Sequence, residues 1–299
     1  MNNIINFYYG INVVNIYEYK TGFLFSYNGT NYYFIKYDRD RNDLNGLINI
    51  CIELKNRNIL TNEFVSNRYN SYLTPFNNEL YVLIRENVVK HKININDILY
   101  IQNNTVNISF DKNISRLNSV DLWKNKIDFY EKKSIGLSNK YKLLNNTLDY
   151  YIGLGENAII YLINNNVKND HMVLSHRRLG NYDFYNPLNY ILDSRARDIA
   201  DYIKELFFYE GITIETVLSI LNYINFNREE YILFIARMLY PTYYFDLVDK
   251  IIFFNEDEDI LKKVIDKSDE YINLLKKLFY YINYNLRMNI PIIEWIIKK

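Results

Sequence analysis

Apolar side chains recur at every second position in the N-terminal part of the chain, which is the spacing of a β-strand. Phe23, Phe25 and Tyr27 follow this spacing, so they share one face of an extended segment. Asn28-Gly29 comes next, and this pair favours the positive φ angles of a two-residue hairpin turn. The pattern predicts a β-hairpin whose second strand covers residues 32–37.

The spacing becomes helical over residues 44–54 and then returns to that of strands. Apolar side chains recur there every three or four positions, which predicts a helix with one apolar face and places Cys51 on that face as a small buried residue. A second hairpin is predicted from residues 72–74 and 80–84, with its turn at 75–78. These elements make up a small N-terminal lobe, residues 1–85, with an antiparallel sheet and one main helix.

Helical spacing dominates after residue 85, with one interruption. Asn227 and Glu230 have the spacing of a capping box at the start of one helix, and residues 172–193 have the pattern of short strands and a loop. The predicted fold class is therefore α+β, with a larger, mostly helical lobe over residues 86–299. The predicted helices are one capped by Ser119, then 143–164, 195–208, 214–224, 228–240, 261–281 and 290–297.

Composition excludes several classes of protein. The 299 residues carry 35 Lys plus Arg against 35 Asp plus Glu, so no net positive charge favours a nucleic acid as partner. A single cysteine excludes a disulfide framework. The first positive charge is Lys20, and the most apolar later run, residues 231–240, contains Arg237. We therefore expect synthesis in the cytoplasm, no signal peptide and no membrane span.

Charged and chemically reactive side chains cluster between residues 171 and 204. Of the 13 arginines, four lie within 21 residues, and two of the three histidines, His171 and His176, lie beside them. The pair of histidines lacks the spacing of a metal site. Ser175 and His176 are adjacent on a predicted strand and point to opposite faces, so they cannot form a nucleophile with its own base. The cluster contains Ser175, His176, Arg177, Arg178, Asp183, Asp193, Arg195, Arg197, Asp198 and Asp201.

Phosphoryl transfer is a reaction for which the chain has candidate residues. It needs a lysine to hold phosphate groups, oxygen ligands for Mg²⁺ and a carboxylate that orients the attacking hydroxyl. Lys36 ends the second strand of the first hairpin, and Glu53 on the following helix is a candidate partner for it. Asp193 follows Ile191-Leu192, as a metal-binding aspartate at a strand end does. ATP and Mg²⁺ are the cofactors that these residues would bind.

Three stretches carry a resemblance to a known family: residues 151–159 (YIGLGENAI), 175–179 (SHRRL) and above all 193–204 (DSRARDIADYIK). They resemble the spore-coat-associated kinase-like proteins of endospore-forming bacteria, in the aminoglycoside-phosphotransferase branch of the protein-kinase-like fold. The resemblance implies a two-lobe kinase-like fold over nearly the whole chain, with a degenerate catalytic-loop segment at 172–198. It also implies a location in the spore coat, with other coat proteins as partners.

The chain departs from this family pattern at the catalytic loop. Alignment on His176 puts Arg178 where active members of the fold have the aspartate that orients the nucleophile. It also puts Asp183 where they have a magnesium-binding asparagine, so Asp183 and Asp193 are the candidate magnesium ligands. A guanidinium group stays protonated and accepts no hydrogen bond. Arg178 therefore cannot be the base, and ordinary kinase chemistry is not expected.

Three functions are compatible with these residues. The first is a catalytically impaired, pseudokinase-like protein with a structural or assembly role in the spore coat. The second is an active phosphotransferase that uses ATP and Mg²⁺, with Asp183 or Asp193 acting in transfer to a small hydroxylated metabolite or a coat protein. The third is nucleotide binding without transfer. Arg177 and Arg178 are predicted either to lock the loop by pairing with Asp183, Asp193 or Asp198, or to bind a phosphate or an acidic peptide.

Overall fold

The computed structural model describes residues 1–88, 91–108, 111–116, 118–137, 140–167, 172–180 and 183–298, and His171 lies outside them. Contacts group the chain into two compact units. Met1–Ser115 and Met172–Asp193 form the first unit, and Arg116–His171 and Ser194–Lys299 form the second. The predicted α+β class is confirmed, because an antiparallel sheet precedes a mostly helical part. The lobe boundary at residue 85 follows element type rather than contacts and stays a prediction.

An antiparallel sheet is the main feature of the first unit. Its strands are β1 (Ile16–Tyr19), β2 (Gly22–Tyr27), β3 (Thr30–Lys36), β4 (Glu63–Val65), β5 (Thr74–Phe76) and β6 (Glu79–Arg85). Their order across the sheet is β1-β2-β3-β6-β4, and β5 pairs with β6. The other elements of the unit are α1 (Asn2–Tyr9), α2 (Asp43–Asn56), α3 (Ile95–Asn104) and the paired strands β7 (Met172–His176) and β8 (Tyr190–Ser194), of which Ser194 belongs to the second unit.

Both predicted hairpins are present, and one turn is displaced. Asn28 and Gly29 have φ angles of 49° and 76°, as the Asn-Gly signal predicts. The second turn is formed by Asn77 and Asn78, with φ angles of 50° and 62°. Pro75 lies in β5 rather than in the turn, and it is tolerated because β5 pairs only with β6 among the described strands.

The apolar faces predicted from the spacing pack inside the first unit. Phe25, Phe34 and Leu83 are fully buried with Ile5 of α1. The apolar face of α2 is buried at Leu47, Ile50, Cys51 and Leu54. Burial raises the pKa of the Cys51 thiol to about 12, so this cysteine is a structural residue and not a nucleophile.

The second unit is built from helices. They are α4 (Ser119–Leu137), α5 (Lys142–Asn165), α6 (Ala196–Glu205), α7 (Ile214–Leu221), α8 (Arg228–Leu239), α9 (Thr242–Phe254), α10 (Lys262–Ile265), α11 (Ser268–Tyr280) and α12 (Glu294–Lys298). A π-helical turn, Leu206–Glu210, continues α6. The capping box of Asn227 and Glu230 at α8 is confirmed. No helix in the described part of the chain combines the length and the apolar character needed to cross a membrane.

Several helix predictions need correction. Ser119 is the first residue of α4 rather than its cap; the Asn118 side chain accepts the hydrogen bond of the Asp121 amide at 3.1 Å. The predicted helix 261–281 is divided into α10 and α11, and residues 290–293 precede α12 instead of belonging to it. The pattern did not predict α1, α3 and α9, because short runs of aromatic and β-branched residues suit strands and buried helices equally well.

Candidate active site

The strand and loop segment of residues 172–193, which the resemblance makes part of the degenerate catalytic-loop segment 172–198, contains a buried histidine. His176 ends β7 and is 1% exposed. Its Nε2 donates a hydrogen bond to the Phe184 carbonyl at 2.8 Å. The imidazole also stacks on the Phe184 ring, with centroids 4.4 Å apart. His176 therefore fixes the path of the loop, and its Nε2 is engaged by the backbone rather than by a substrate.

Asn189 organises the other side of the same loop. Its Oδ1 accepts from the Arg178 amide at 3.0 Å, and its Nδ2 donates to the carbonyls of Arg178 at 2.7 Å and Asp183 at 3.2 Å. These bonds fix the backbone on both sides of the segment in which the resemblance puts the catalytic residues. The Arg178 side chain is exposed, and one of its nitrogens donates to the Arg177 carbonyl at 3.0 Å.

Asp183 is paired with a lysine that the sequence did not indicate. Lys20 lies in the turn between β1 and β2, and its Nζ is 2.6 and 2.7 Å from the two carboxylate oxygens of Asp183. The side chains are 46% and 35% exposed. Because 163 residues separate them, no local pattern could have revealed the pair. Arg177 lies near a different carboxylate, with its Nη1 3.5 Å from Asp38 Oδ1.

Lys36 and Glu53 each have a partner other than the one expected. Lys36 Nζ is 2.7 Å from Glu79 Oε1, a residue of β6, which is the strand next to β3. The hydrogen bond to Glu79 raises the pKa of the Lys36 ammonium group. Glu53 forms an ion pair with Arg57 on its own helix, and Arg57 also donates to the Asn104 carbonyl at 2.9 Å. Glu53 therefore lies in a contact between α2 and the end of α3.

Asp193 lies at the end of β8 in the first unit, as the sequence predicts, and is fully buried. The strand that carries it is tied to the residues after α3, because the Leu192 amide donates to the Ile114 carbonyl at 3.0 Å. Ser175 is also fully buried, and its Oγ has no hydrogen-bond partner.

Arg39 anchors the start of β8. Its side chain is 2% exposed, and its Nε donates to Asp43 Oδ2 at 2.8 Å. Its Nη1 donates to the carbonyls of Leu188 at 3.1 Å and Tyr190 at 2.6 Å. Arg39 stands in an alternating acidic and basic stretch, residues 38–41, which is typical of a solvated surface. The sequence therefore gave no signal for its buried role.

Asp183 and Asp193, the candidate magnesium ligands, lie in different surroundings. Magnesium is held in proteins by one or two carboxylates together with water and substrate phosphates. Asp183 already holds an ammonium group on both oxygens, and Asp193 is fully buried. Within the described residues there is no group of three or more His, Cys, Asp or Glu side chains that could hold a metal.

The second half of the charged cluster lies in the second unit, where Asp198 and Lys204 are buried and Arg195, Arg197 and Asp201 are half-buried. Asp201 pairs with Lys204 at 3.0 Å. Lys204 Nζ also donates to the Arg237 carbonyl at 3.1 Å and to Thr242 Oγ1 at 2.7 Å. Burial alone would raise the pKa of Asp201, but the nearby charges of Lys204 and Arg197 lower the pKa to about 2. Burial lowers the pKa of Lys204, and Asp201 opposes that shift.

This arrangement explains the most distinctive part of the sequence motif. Asp198 is buried in the first turn of α6. The positive end of the helix dipole stabilises a negatively charged carboxylate at this position. Arg195 lies 3.7 Å from Glu230, the residue of the α8 capping box. The residues of 194–204 therefore connect α6 to its neighbours, and only Asp193 of the motif belongs to the first unit.

Comparison with known proteins identifies the family. The profile of the family described as "Spore coat putative kinase YutH" matches residues 2–278. The chain belongs to this family. The endospore coat-associated protein YutH of Bacillus subtilis (strain 168) is 22% identical over 209 residues. That alignment spans 60% of this chain and 61% of the relative's length.

Solved structures with a similar fold are phosphotransferases. An aminoglycoside phosphotransferase from Alicyclobacillus acidocaldarius has a TM-score of 0.67 at 10% identity, covering 94% of this chain and 96% of its own. The AMP-bound spectinomycin phosphotransferase APH(9)-Ia has a TM-score of 0.55 at 10% identity, with 93% of each chain covered. Amicoumacin kinase hAmiN also scores 0.55, at 12% identity over 91% and 90%. The kinase-like fold is thereby confirmed for this spore-coat family member.

Proposed function

We propose that this protein is a catalytically impaired kinase-like protein with a structural or assembly role in the bacterial spore coat. The observation that supports the proposal is Arg178, which the alignment on His176 puts where active members of the fold have the catalytic carboxylate. An arginine side chain is always charged, donates hydrogen bonds and accepts none. It cannot orient a hydroxyl nucleophile or take its proton.

The surroundings of Arg178 support the same conclusion. Asn189 fixes the loop backbone on both sides of the position, so a small shift of the chain does not bring another side chain into it. The next carboxylate along the loop, Asp183, is engaged by Lys20 through both oxygens. A carboxylate in that state would have to lose a charged partner before it could act as a base.

Nucleotide binding without transfer is a second candidate function. Lys36 lies on β3 and its ion pair with Glu79 is exposed to solvent. Such binding would require a phosphate group to replace Glu79 as the partner of the Lys36 ammonium group.

The assembly role comes from the family and not from the site. We propose that the chain joins the coat through other coat proteins. In its own spore-forming host, the chain should be recovered in the coat fraction of purified spores. Variants Asp193→Asn, Lys36→Met and Asp183→Asn should be recovered there in the same amount, because assembly does not depend on catalysis.

The rival function is an active phosphotransferase that acts on a small hydroxylated metabolite or a coat protein. Two positions favour it: Lys36 at the end of β3 and Asp193 at the end of β8, the places where the fold's active members need a phosphate-binding lysine and a metal-binding aspartate. If this function is correct, Lys36→Ala and Asp183→Ala should each remove a measurable transfer activity. Coat defects in those same variants would contradict the structural role.

A further inference from the structure

The backbone at Asp183 and next to Lys20 forms hydrogen bonds with neighbouring residues. The Asp183 carbonyl accepts from Asn189 Nδ2 at 3.2 Å and from the Asn186 amide at 3.1 Å, and the Asp183 amide donates to the Gly180 carbonyl at 3.0 Å. On the other side, the carbonyl of Thr21, next to Lys20, accepts from the Lys36 amide at 3.4 Å. The ion pair therefore joins two segments whose backbones are hydrogen-bonded.

The Lys20 ammonium group lies beside both oxygens of the Asp183 carboxylate, where a bound cation would also lie. Its nitrogen lies at nearly equal distances, 2.6 and 2.7 Å, from the two Asp183 oxygens. A divalent cation there would face a positive charge a few ångströms away and would have to displace it. An ammonium group satisfies the carboxylate without water or phosphate ligands, whereas Mg²⁺ retains several of them.

We propose that Lys20 is the resident cation of Asp183 and that this site does not take a divalent metal ion. The inference rests on the proposed function, since it names the cation of the same site, but the two claims can fail separately. Impaired transfer follows from Arg178, whereas the exclusion of metal follows from Lys20. A phosphate ligand at this site would accordingly meet protein cations only.

Titration with Mn²⁺ tests the proposal, with free Mn²⁺ measured by electron paramagnetic resonance and no nucleotide present. The variants are Asp183→Asn, Lys20→Gly, Lys20→Met and the double change Lys20→Gly with Asp183→Asn. Glycine suits the positive φ of residue 20, which is 48°, and methionine keeps the bulk of the side chain. Circular dichroism verifies that each variant is folded.

The wild type and Asp183→Asn should bind Mn²⁺ equally weakly. Lys20→Gly and Lys20→Met should bind it about tenfold more tightly, the order expected when a unit charge beside a divalent ion is removed at an exposed site. The double variant should show no gain, because it lacks the carboxylate that would hold the ion. The proposal is overturned if the wild type binds Mn²⁺ and Asp183→Asn does not, if neither Lys20 variant gains affinity, or if the double variant gains as much as they do.

The proposed function is tested separately in the same preparations by phosphoryl transfer from ATP. Transfer by the wild type would refute the impairment and leave the Mn²⁺ result as it stands. Wild-type Mn²⁺ binding that depends on Asp183, without transfer, would refute only the role of Lys20.

Discussion

The loop segment, residues 172–193, and helix α6 follow one another in the sequence and share one cluster of charges, but they pair those charges in different surroundings. The pairs Lys20–Asp183 and Arg177–Asp38 of the loop segment are open to solvent. The α6 residues Lys204 and Asp198 are buried. An exposed pair contributes little to stability, whereas loss of one partner from a buried pair is strongly destabilising.

The difference teaches that charges close together in the sequence can lie in different units and surroundings. Most of the motif that carries the resemblance, residues 194–204, lies in the second unit, where Lys204 joins Asp201, Arg237 and Thr242. The loop segment lies in the first unit, and its charged side chains form pairs that are open to solvent.

The largest expected effect is that of Lys204→Met. This change leaves the Asp201 carboxylate without its nearest cation and removes the donor to the Arg237 carbonyl and Thr242. We expect the free energy of unfolding to fall by about 3 kcal/mol, measured by urea denaturation with circular dichroism. Lys262→Met, which breaks an exposed pair, should leave the midpoint unchanged. Equal stability of Lys204→Met and wild type would remove the contrast between the two regions.

A smaller loss of stability is expected for Arg39→Lys, a change at a buried charged side chain of the first unit. Lysine keeps the charge but cannot donate in the fork geometry with which Arg39 reaches Asp43 and the carbonyls of Leu188 and Tyr190. The free energy of unfolding should fall by about 2 kcal/mol, which is the contribution of a hydrogen bond to a charged group. Arg41→Lys is the exposed control. If both variants unfold at the wild-type midpoint, Arg39 does not anchor β8.

Protonation of the Asp201 carboxylate should make the stability of the fold depend on pH. Its pKa is about 2 in the folded protein and 3.8 for the free side chain. A lowered pKa gives stability that is present above pH 4 and is lost as the pH falls towards 2. The free energy of unfolding of the wild type should therefore fall by about 2 kcal/mol more than that of Asp201→Asn over that interval. Denaturation of both proteins at pH 5, 4, 3 and 2 measures the difference, and parallel curves would exclude Asp201 as the source.

The smallest effect on stability is expected for Lys20→Met. Its pair with Asp183 is partly solvated, so the free energy of unfolding should change by less than about 1 kcal/mol. Added salt should reduce even that difference, because exposed charges are screened. Denaturation at 0.05 and 1 M NaCl measures it. A loss as large as that of Lys204→Met would mean that the loop segment is held by charge in the same way as α6.

Local features of the fold could be predicted and long-range ones could not. The Asn28-Gly29 turn, the α2 face and the Asn227 capping box depend on residues a few positions apart. The placement of Asp193 at a strand end also followed from its two apolar neighbours. By contrast, the contacts of Lys20 with Asp183 and of Arg39 with Leu188 join residues 163 and 149 positions apart. No periodicity encodes such pairs, and charged residues in short alternating stretches are typical of solvated surfaces.

The partner of Lys36 illustrates the same limit within the sheet. The sequence placed Lys36 at the end of a strand and Glu53 on the following helix, and both lie at those positions in β3 and α2. Glu79 became the partner of Lys36 because β6 lies beside β3, although some 40 residues separate the two strands in the sequence. Strand order, which was not predicted, therefore decided the contact.

The most direct test of the central claim is a phosphoryl-transfer measurement on the purified protein. Magnesium ATP is supplied with a panel of hydroxylated small molecules and spore-coat extract, and wild type is compared with Asp193→Asn. The account predicts no turnover above background for either protein, because Arg178 cannot replace the catalytic carboxylate. Transfer by the wild type that Asp193→Asn abolishes would contradict it.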